Sequence, residues 1–211
     1  MAHTSAIVVA GGRGERFGAA KQFLTAGGAR LVDHAVASAA AVCDEVVVVL
    51  PEGTVWDGCA VAAAVPGGET RSASVRAGLD AVSADAEVVV VHDGARPLAT
   101  AGLFELVIDT VRSGADAAIP VLEVSDTLKR IEGPQVVETI ARDGLVVVQT
   151  PQAFRAAALR AAHRDGGDAT DDAALVEQAG GTVVVVPGDP RNIKVTTVAD
   201  LALVMTLLEE T

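Results

Sequence analysis

Unbroken runs of apolar, mostly β-branched residues recur along the chain, at residues 5–10 (SAIVVA), 45–50 (EVVVVL), 87–92 (EVVVVH), 117–122 (AAIPVL), 144–149 (GLVVVQ) and 181–186 (GTVVVV). Continuous valine without polar alternation marks strands covered on both faces, as in a mostly parallel sheet sandwiched by helices. Ala-rich stretches at 31–42, 70–82, 100–113, 153–163, 170–179 and 197–209 carry the intervening helices. This alternation predicts an α/β, doubly wound architecture with helices on both faces of the sheet. Residues 121–145 break the rhythm. No helix of useful length fits there, and EVSDTLKRI and QVVETIA, separated by EGP, predict a two-stranded hairpin projecting from the sheet. Such a hairpin is marginal alone in water, so it packs against its own domain or against a second subunit.

The 211 residues suit one compact domain, 1–211, with the hairpin as an appendage. Half of the residues are hydrophobic but only 2% are aromatic, with no Tyr and one Trp. The core must therefore be aliphatic. A net charge of −12 and a pI near 4.6 speak against an extended basic surface for nucleic acid, and no series of aromatics offers a base-stacking platform. No apolar run approaches the roughly 18–20 residues needed to span a bilayer. MAHTSAIVVAGG lacks the basic start of a signal peptide. Cys43 and Cys59 are too far apart for a CxxC pair and read as core or surface thiols. The expectation is a cytoplasmic protein.

The first strand runs directly into GGRGERFGAAKQFL. Glycines at that point let the backbone approach a phosphate, whose charge is then met by exposed N–H groups. A Walker A loop needs GK[ST], whereas Lys21 lies between Ala20 and Gln22. The dinucleotide fingerprint GxGxxG fails at Phe17, and Glu52 is too distant to be its acidic partner. What remains is a glycine loop with three cations, Arg13, Arg16 and Lys21, where the strand ends of an α/β sheet present ligands. A solvated turn with surface arginines is the plainer alternative.

Other chemistry falls at the same sheet edge. EVVVVHDGARP places Asp93 at the end of a buried strand, followed by Arg96. That pair reads as a turn-stabilising ion pair, or as a carboxylate near a polyphosphate and its Mg2+. His92 reads as a packed, hydrogen-bonded histidine rather than a base. In PGGETRSASVRAGL, Thr70 or Ser72 serves as a helix cap, which leaves Arg71 and Arg76 unexplained. Lys194 lies in an extended stretch before Thr197, a cap for the last helix, and of the three lysines only Lys129, with Arg130, belongs to the hairpin. His3, His34 and His163 show no zinc-ligand spacing. No GxSxG or Cys/His arrangement supports covalent catalysis.

Taken together, AGGRGERF, KQFL, GGETRSASVRAGL, VHDGARP, SDTLKR, LVVVQTPQAF, TDDAALVE and NIKVTTVADL resemble, in order and end to end, the 2-C-methyl-D-erythritol 4-phosphate cytidylyltransferase family of the non-mevalonate isoprenoid pathway. The resemblance implies a Rossmann-like nucleotidyltransferase fold with a protruding β-arm at about 121–145. It also implies a homodimer in which each arm completes the neighbour's site, CTP as co-substrate and Mg2+. Arg16 and Lys21 would stabilise the transition state at the α-phosphate. Ala10, Gly11, Gly12, Gly68, Glu69 and Ser74 would surround the cytosine, and Gly14 the phosphates. Asp93 would lie between metal and substrate. Thr127 and Arg142, from the partner's arm, and Lys194 would hold the polyol phosphate, with Thr150 close by. The chain departs from the family pattern before Lys21, where the loop is shorter and lacks the proline of a PKQ sequence. The alternatives are a ribitol 5-phosphate cytidylyltransferase and a non-catalytic nucleotide-binding paralogue.

Overall fold

The computed structural model describes residues 3–12 and 20–209. Its elements follow in the order β1 (Thr4–Val9), a 3-10 turn (Lys21–Phe23), β2 (Thr25–Ala26), β3 (Ala29–Arg30), α1 (Leu31–Ala40), β4 (Glu45–Leu50), β5 (Ala63–Pro66), α2 (Arg71–Ala81), β6 (Val88–Asp93) and α3 (Ala101–Arg112). The second half continues with β7 (Ala117–Glu123), β8 (Leu128–Glu132), β9 (Gln135–Ile140), β10 (Val146–Val148), β11 (Gln152–Arg155), α4 (Ala156–His163), α5 (Asp172–Gln178), β12 (Val183–Pro187) and α6 (Val198–Glu209).

Strands β6, β1, β4 and β5 run parallel as neighbours, and β12 runs parallel to β7. The valine runs divide residue by residue between two cores, as expected for strands covered on both sides. Ala6, Val8, Val48 and Val90 face one core with Val32 and Val36 of α1 and Phe104 and Ile108 of α3. Ile7, Val47, Val49, Val89 and Val91 face the other, with Val75 of α2, Leu159 of α4 and Val176 of α5. Full burial of side chains such as Phe104 and Ile108 contributes about 1.5–3 kcal/mol each. Helix α2 lies so close to the sheet that a Cβ on Gly78 would come within 2.5 Å of Ile7 Cγ2, so only glycine fits that crossing.

Two features depart from the sequence pattern. The helix expected over 153–163 begins only at Ala156. Its first part is instead strand β11, which pairs antiparallel with both β6 and β7. The short β5 carries no strong apolar run, yet it extends the sheet beyond β4.

The hairpin is present. Strands β8 and β9 form a two-stranded sheet of their own, tied by Lys129 Nζ donating to Thr139 Oγ1 (2.5 Å) and an Arg130–Glu138 ion pair (2.9 Å). Ile131, Val136 and Val137 on it are exposed. Among the described residues no helix is long and apolar enough to cross a membrane.

Candidate active site

Strand β1 lies between β4 and β6, so the chain leaves it toward one neighbour and later returns on the other side. A crevice opens at such a point, beyond the carboxyl ends of the strands. Three backbone bonds draw the loops together there: Ala10 N–H to the Val49 carbonyl (2.8 Å), Gly67 N–H to Leu50 (2.7 Å) and Gly94 N–H to Val9 (2.9 Å).

The buried Gln22 carboxamide shapes the first loop by donating to the carbonyls of Ala10 (2.6 Å) and Gly12 (2.8 Å). With these carbonyls turned inward, the N–H groups of Gly11 and Gly12 have no partner among the described residues and are available to a ligand. Across the crevice, Thr70 caps α2 by accepting from Ala73 N–H (3.1 Å). Ser74 Oγ accepts from Gly68 N–H (3.2 Å) and donates to the Thr70 carbonyl (3.0 Å). A Cβ on Gly67 would lie 2.8 Å from that hydroxyl, so the turn closes only around glycine. Gly68 and Glu69 are exposed at its rim.

The charged centre is Asp93, at the end of β6. Lys194 Nζ lies 2.7 Å from its Oδ2, Arg96 Nε 3.8 Å from the same oxygen, and Arg71 Nε 3.7 Å from Oδ1. Burial alone would raise the Asp93 carboxyl, but Lys194, Arg71 and Arg96 outweigh it and hold it well below the usual carboxylate range. The backbone of Asp93 is also fixed, its N–H donating to Thr150 Oγ1 (3.0 Å). Behind it, His92 Nε2 faces the Arg96 carbonyl (3.2 Å) and Nδ1 faces Thr150 Oγ1 (3.1 Å). A carbonyl only accepts, so Nε2 carries the proton, and the bare Nδ1 receives the Thr150 hydroxyl. Burial lowers His92 to about 4, which keeps the ring neutral at physiological pH. Arg96 NH1 donates to the Asn192 carbonyl (2.8 Å), and Asn192 Nδ2 donates to that of Thr150 (2.8 Å), so the loop carrying Lys194 is braced against the same centre.

Residues 4–210 match the model of the IspD family, 2-C-methyl-D-erythritol 4-phosphate cytidylyltransferase. The chain belongs to this cytidylyltransferase family. It is 43% identical over 230 residues to the 2-C-methyl-D-erythritol 4-phosphate cytidylyltransferase of Streptomyces coelicolor, covering 98% of this chain and 85% of that protein. It is 45% identical over 210 residues to a bifunctional IspD/IspF enzyme of Granulibacter bethesdensis, covering 95% of this chain but only 55% of that one. The chain thus spans about half the length of such bifunctional relatives. The crystal structure of the 2-C-methyl-D-erythritol 4-phosphate cytidylyltransferase from Thermus thermophilus superposes with a TM-score of 0.85 at 37% identity, covering 99% of this chain and 100% of that one.

Within this cytidylyltransferase fold, Asp93, Thr150 and Lys194 meet in one cluster, while Ala10, Gly11, Gly12, Gly68, Glu69 and Ser74 line the two facing turns. The hydroxyls of Thr150 and Ser74 are spent on protein partners, so both shape the site from behind its surface. Lys21 opens the 3-10 turn beside Gln22 and is half-buried. Gly14 and Arg16, like Arg13, lie outside the described residues. Thr127 and Arg142 are exposed on the arm, and neither bonds to the Asp93 cluster; Arg142 NH1 donates to the Ser125 carbonyl. Arg71 joins the Asp93 cluster, whereas Arg76 donates to the Gly167 carbonyl (2.8 Å) as an exposed structural tie. Sequence reasoning missed Gln22, Asn192 and Asp172. Their signals were a glutamine beside the candidate lysine, an asparagine two residues before Lys194, and the acidic pair in TDDAALVE.

Proposed function

We propose that this chain transfers the cytidylyl group of CTP to 2-C-methyl-D-erythritol 4-phosphate, forming 4-diphosphocytidyl-2-C-methyl-D-erythritol and pyrophosphate. The observation that carries the reading is the Asp93–Lys194–Arg71–Arg96 cluster at the switch point of the sheet, facing the glycine turns, in a chain of this family. A phosphate monoester has a second pKa of about 6, so near neutral pH the attacking oxygen is already anionic and no general base is required. That oxygen attacks the α-phosphorus in line, and the bond to the pyrophosphate leaving group breaks. The obstacle is repulsion between anions, so fixed cations dominate catalysis.

In this reading the N–H groups of Gly11 and Gly12, the turn at Gly68 and Glu69, and the hydroxyl-shaped floor at Ser74 receive the cytosine beside Ala10. Gly14, Arg16 and Lys21 take the triphosphate. Lys194, positioned by Asp93 at 2.7 Å, holds the polyol phosphate. The arm of a second copy supplies Thr127 and Arg142, and the exposed Ile131, Val136 and Val137 on the hairpin, with Val146 and Val147 on β10, support burial in a homodimer. The domain is then 1–211, with the arm as its dimerisation element.

A resident metal site does not fit the described residues: Asp93 is one carboxylate facing three cations, and no cluster of three donors exists among them. Mg2+ would be held by the oxygens of the CTP phosphates, which suit it, and would screen their charge. Cys59 is an exposed free thiol and Cys43 a buried one, which suits a reducing compartment and supports a cytoplasmic location.

The test is pyrophosphate release with Mg2+, CTP and either methylerythritol 4-phosphate or ribitol 5-phosphate, with ATP and metal-free controls. Turnover with the first polyol is expected. Preference for ribitol 5-phosphate, or CTP binding without release, would overturn the assignment.

A further inference from the structure

Two residues remain that neither helix capping nor the proposed substrate contacts account for: the arginine of GGETRSAS and the second acid of TDDAALVE. They meet across 101 residues of sequence, where Arg71 NH1 donates to Asp172 Oδ2 at 2.6 Å. We infer that Asp172 is a positioning residue for the reactive centre, acting through Arg71, and that its work is to withhold Arg71 from Asp93. The inference rests on the cytidylyl-transfer reading above.

Arg71, the first residue of α2, faces two carboxylates. It binds tightly to Asp172, which is fully buried, and only loosely to Asp93, at 3.7 Å from Nε to Oδ1, beyond hydrogen-bonding distance. Asp172 is itself immobilised. His163 Nε2 donates to its other oxygen at 2.9 Å, so the two carboxylate oxygens are held from opposite partners, one by His163 and one by Arg71. The turn that presents Asp172 is anchored as well, because Asp171 caps α5 by accepting from Ala174 N–H (3.0 Å) and also accepts from the buried Gln152 Nε2 (3.1 Å).

A fold that needed only to join α2 to α5 could do so with apolar contacts, since a buried ion pair recovers its desolvation cost poorly. The arrangement here does something apolar contacts cannot. A guanidinium closes onto a neighbouring carboxylate when no stronger partner holds it. Without the charge of Asp172, Arg71 would move from 3.7 Å into hydrogen-bonding distance of Asp93 and occupy Oδ1. With Asp172 present, Oδ2 belongs to Lys194 and Oδ1 stays open to a hydroxyl of the polyol substrate. Asp172 thereby sets how the polyol is received, without touching it.

The experiment measures steady-state kinetics of the full chain, varying CTP and methylerythritol 4-phosphate separately, with thermal unfolding recorded for each variant. In Asp172→Asn, kcat/KM for the polyol phosphate should fall about tenfold while KM for CTP stays within about twofold. His163→Gln retains an N–H donor toward Asp172 and should keep wild-type selectivity between the two substrates even if it unfolds earlier. Should Asp172→Asn fail to fold, Asp172→Thr carries the same expectation, because it keeps an oxygen for His163 to donate to and likewise lacks the charge that holds Arg71. A folded variant with an unchanged polyol kcat/KM, or with equal losses for both substrates, overturns the inference. A wild-type enzyme that transfers no cytidylyl group fails the underlying reading instead, and the two failures are thus distinguishable.

Discussion

Replacing Thr150 with valine removes one hydroxyl and almost no volume, yet that hydroxyl joins two buried groups. It accepts from Asp93 N–H at 3.0 Å and donates to His92 Nδ1 at 3.1 Å. Both partners remain inside after the substitution, with His92 fully buried and Asp93 8% exposed. An orphaned buried polar group costs about 1–3 kcal/mol, so two of them cost about 2–6 kcal/mol, and the added methyl recovers less than about 1 kcal/mol. The expected net loss is about 3 kcal/mol, a large part of the roughly 5–15 kcal/mol that a domain possesses. Urea unfolding at neutral pH measures it, with Thr150→Ser as the control that keeps the hydroxyl and should stay within about 1 kcal/mol of wild type. If Thr150→Val and Thr150→Ser unfold at the same urea concentration, the bridging role of this hydroxyl is refuted.

Lys194→Met deprives Asp93 of its 2.7 Å partner and the reaction of a fixed cation; kcat should drop about 100–1000-fold, and a change confined to KM would contradict a role in the transition state. Gln22→Leu orphans the carbonyls of Ala10 and Gly12 and frees the first loop, so KM for CTP should rise about tenfold with a smaller effect on the polyol, as read from initial rates. As pH falls from 6.5 toward about 4, the unfolded chain takes up the His92 proton before the folded one does, so stability is lost across that window. The loss reaches about 3 kcal/mol and flattens below the window, and urea unfolding of wild type and His92→Gln at successive pH values should show the variant lacking this slope.

Much of the architecture was legible because it depends on local pattern. Valine runs can be buried only in a doubly covered sheet, and the gap between residues 121 and 145 admits a hairpin and no helix. Segment 152–155 was not legible. QAFR leads into a strongly helical alanine stretch, and only the neighbouring edges of β6 and β7 draw it into a strand, an override of local propensity by partners distant in sequence. The candidate site divides in the same way. Asp93, Lys194 and the glycine turns stand out because their residue types at strand ends have few other uses. Ser74 and Thr150 fall in the right neighbourhood, but their hydroxyls serve the protein, since hydrogen-bond partners are settled by packing.

Periodicity and short contiguous motifs were enough to establish the class of fold, the edge of the sheet where chemistry gathers and the family to which the chain belongs. Which charges balance one another was settled only by folding. Arg71 and Arg76 are equivalent in the sequence, both on the first turns of one helix. Yet one lies between two carboxylates and the other ties down an exposed loop. Electrostatic pairing acts over a few ångströms whatever the separation along the chain, so the union of Arg71 with Asp172 had to await the folding that brings α2 and α5 together.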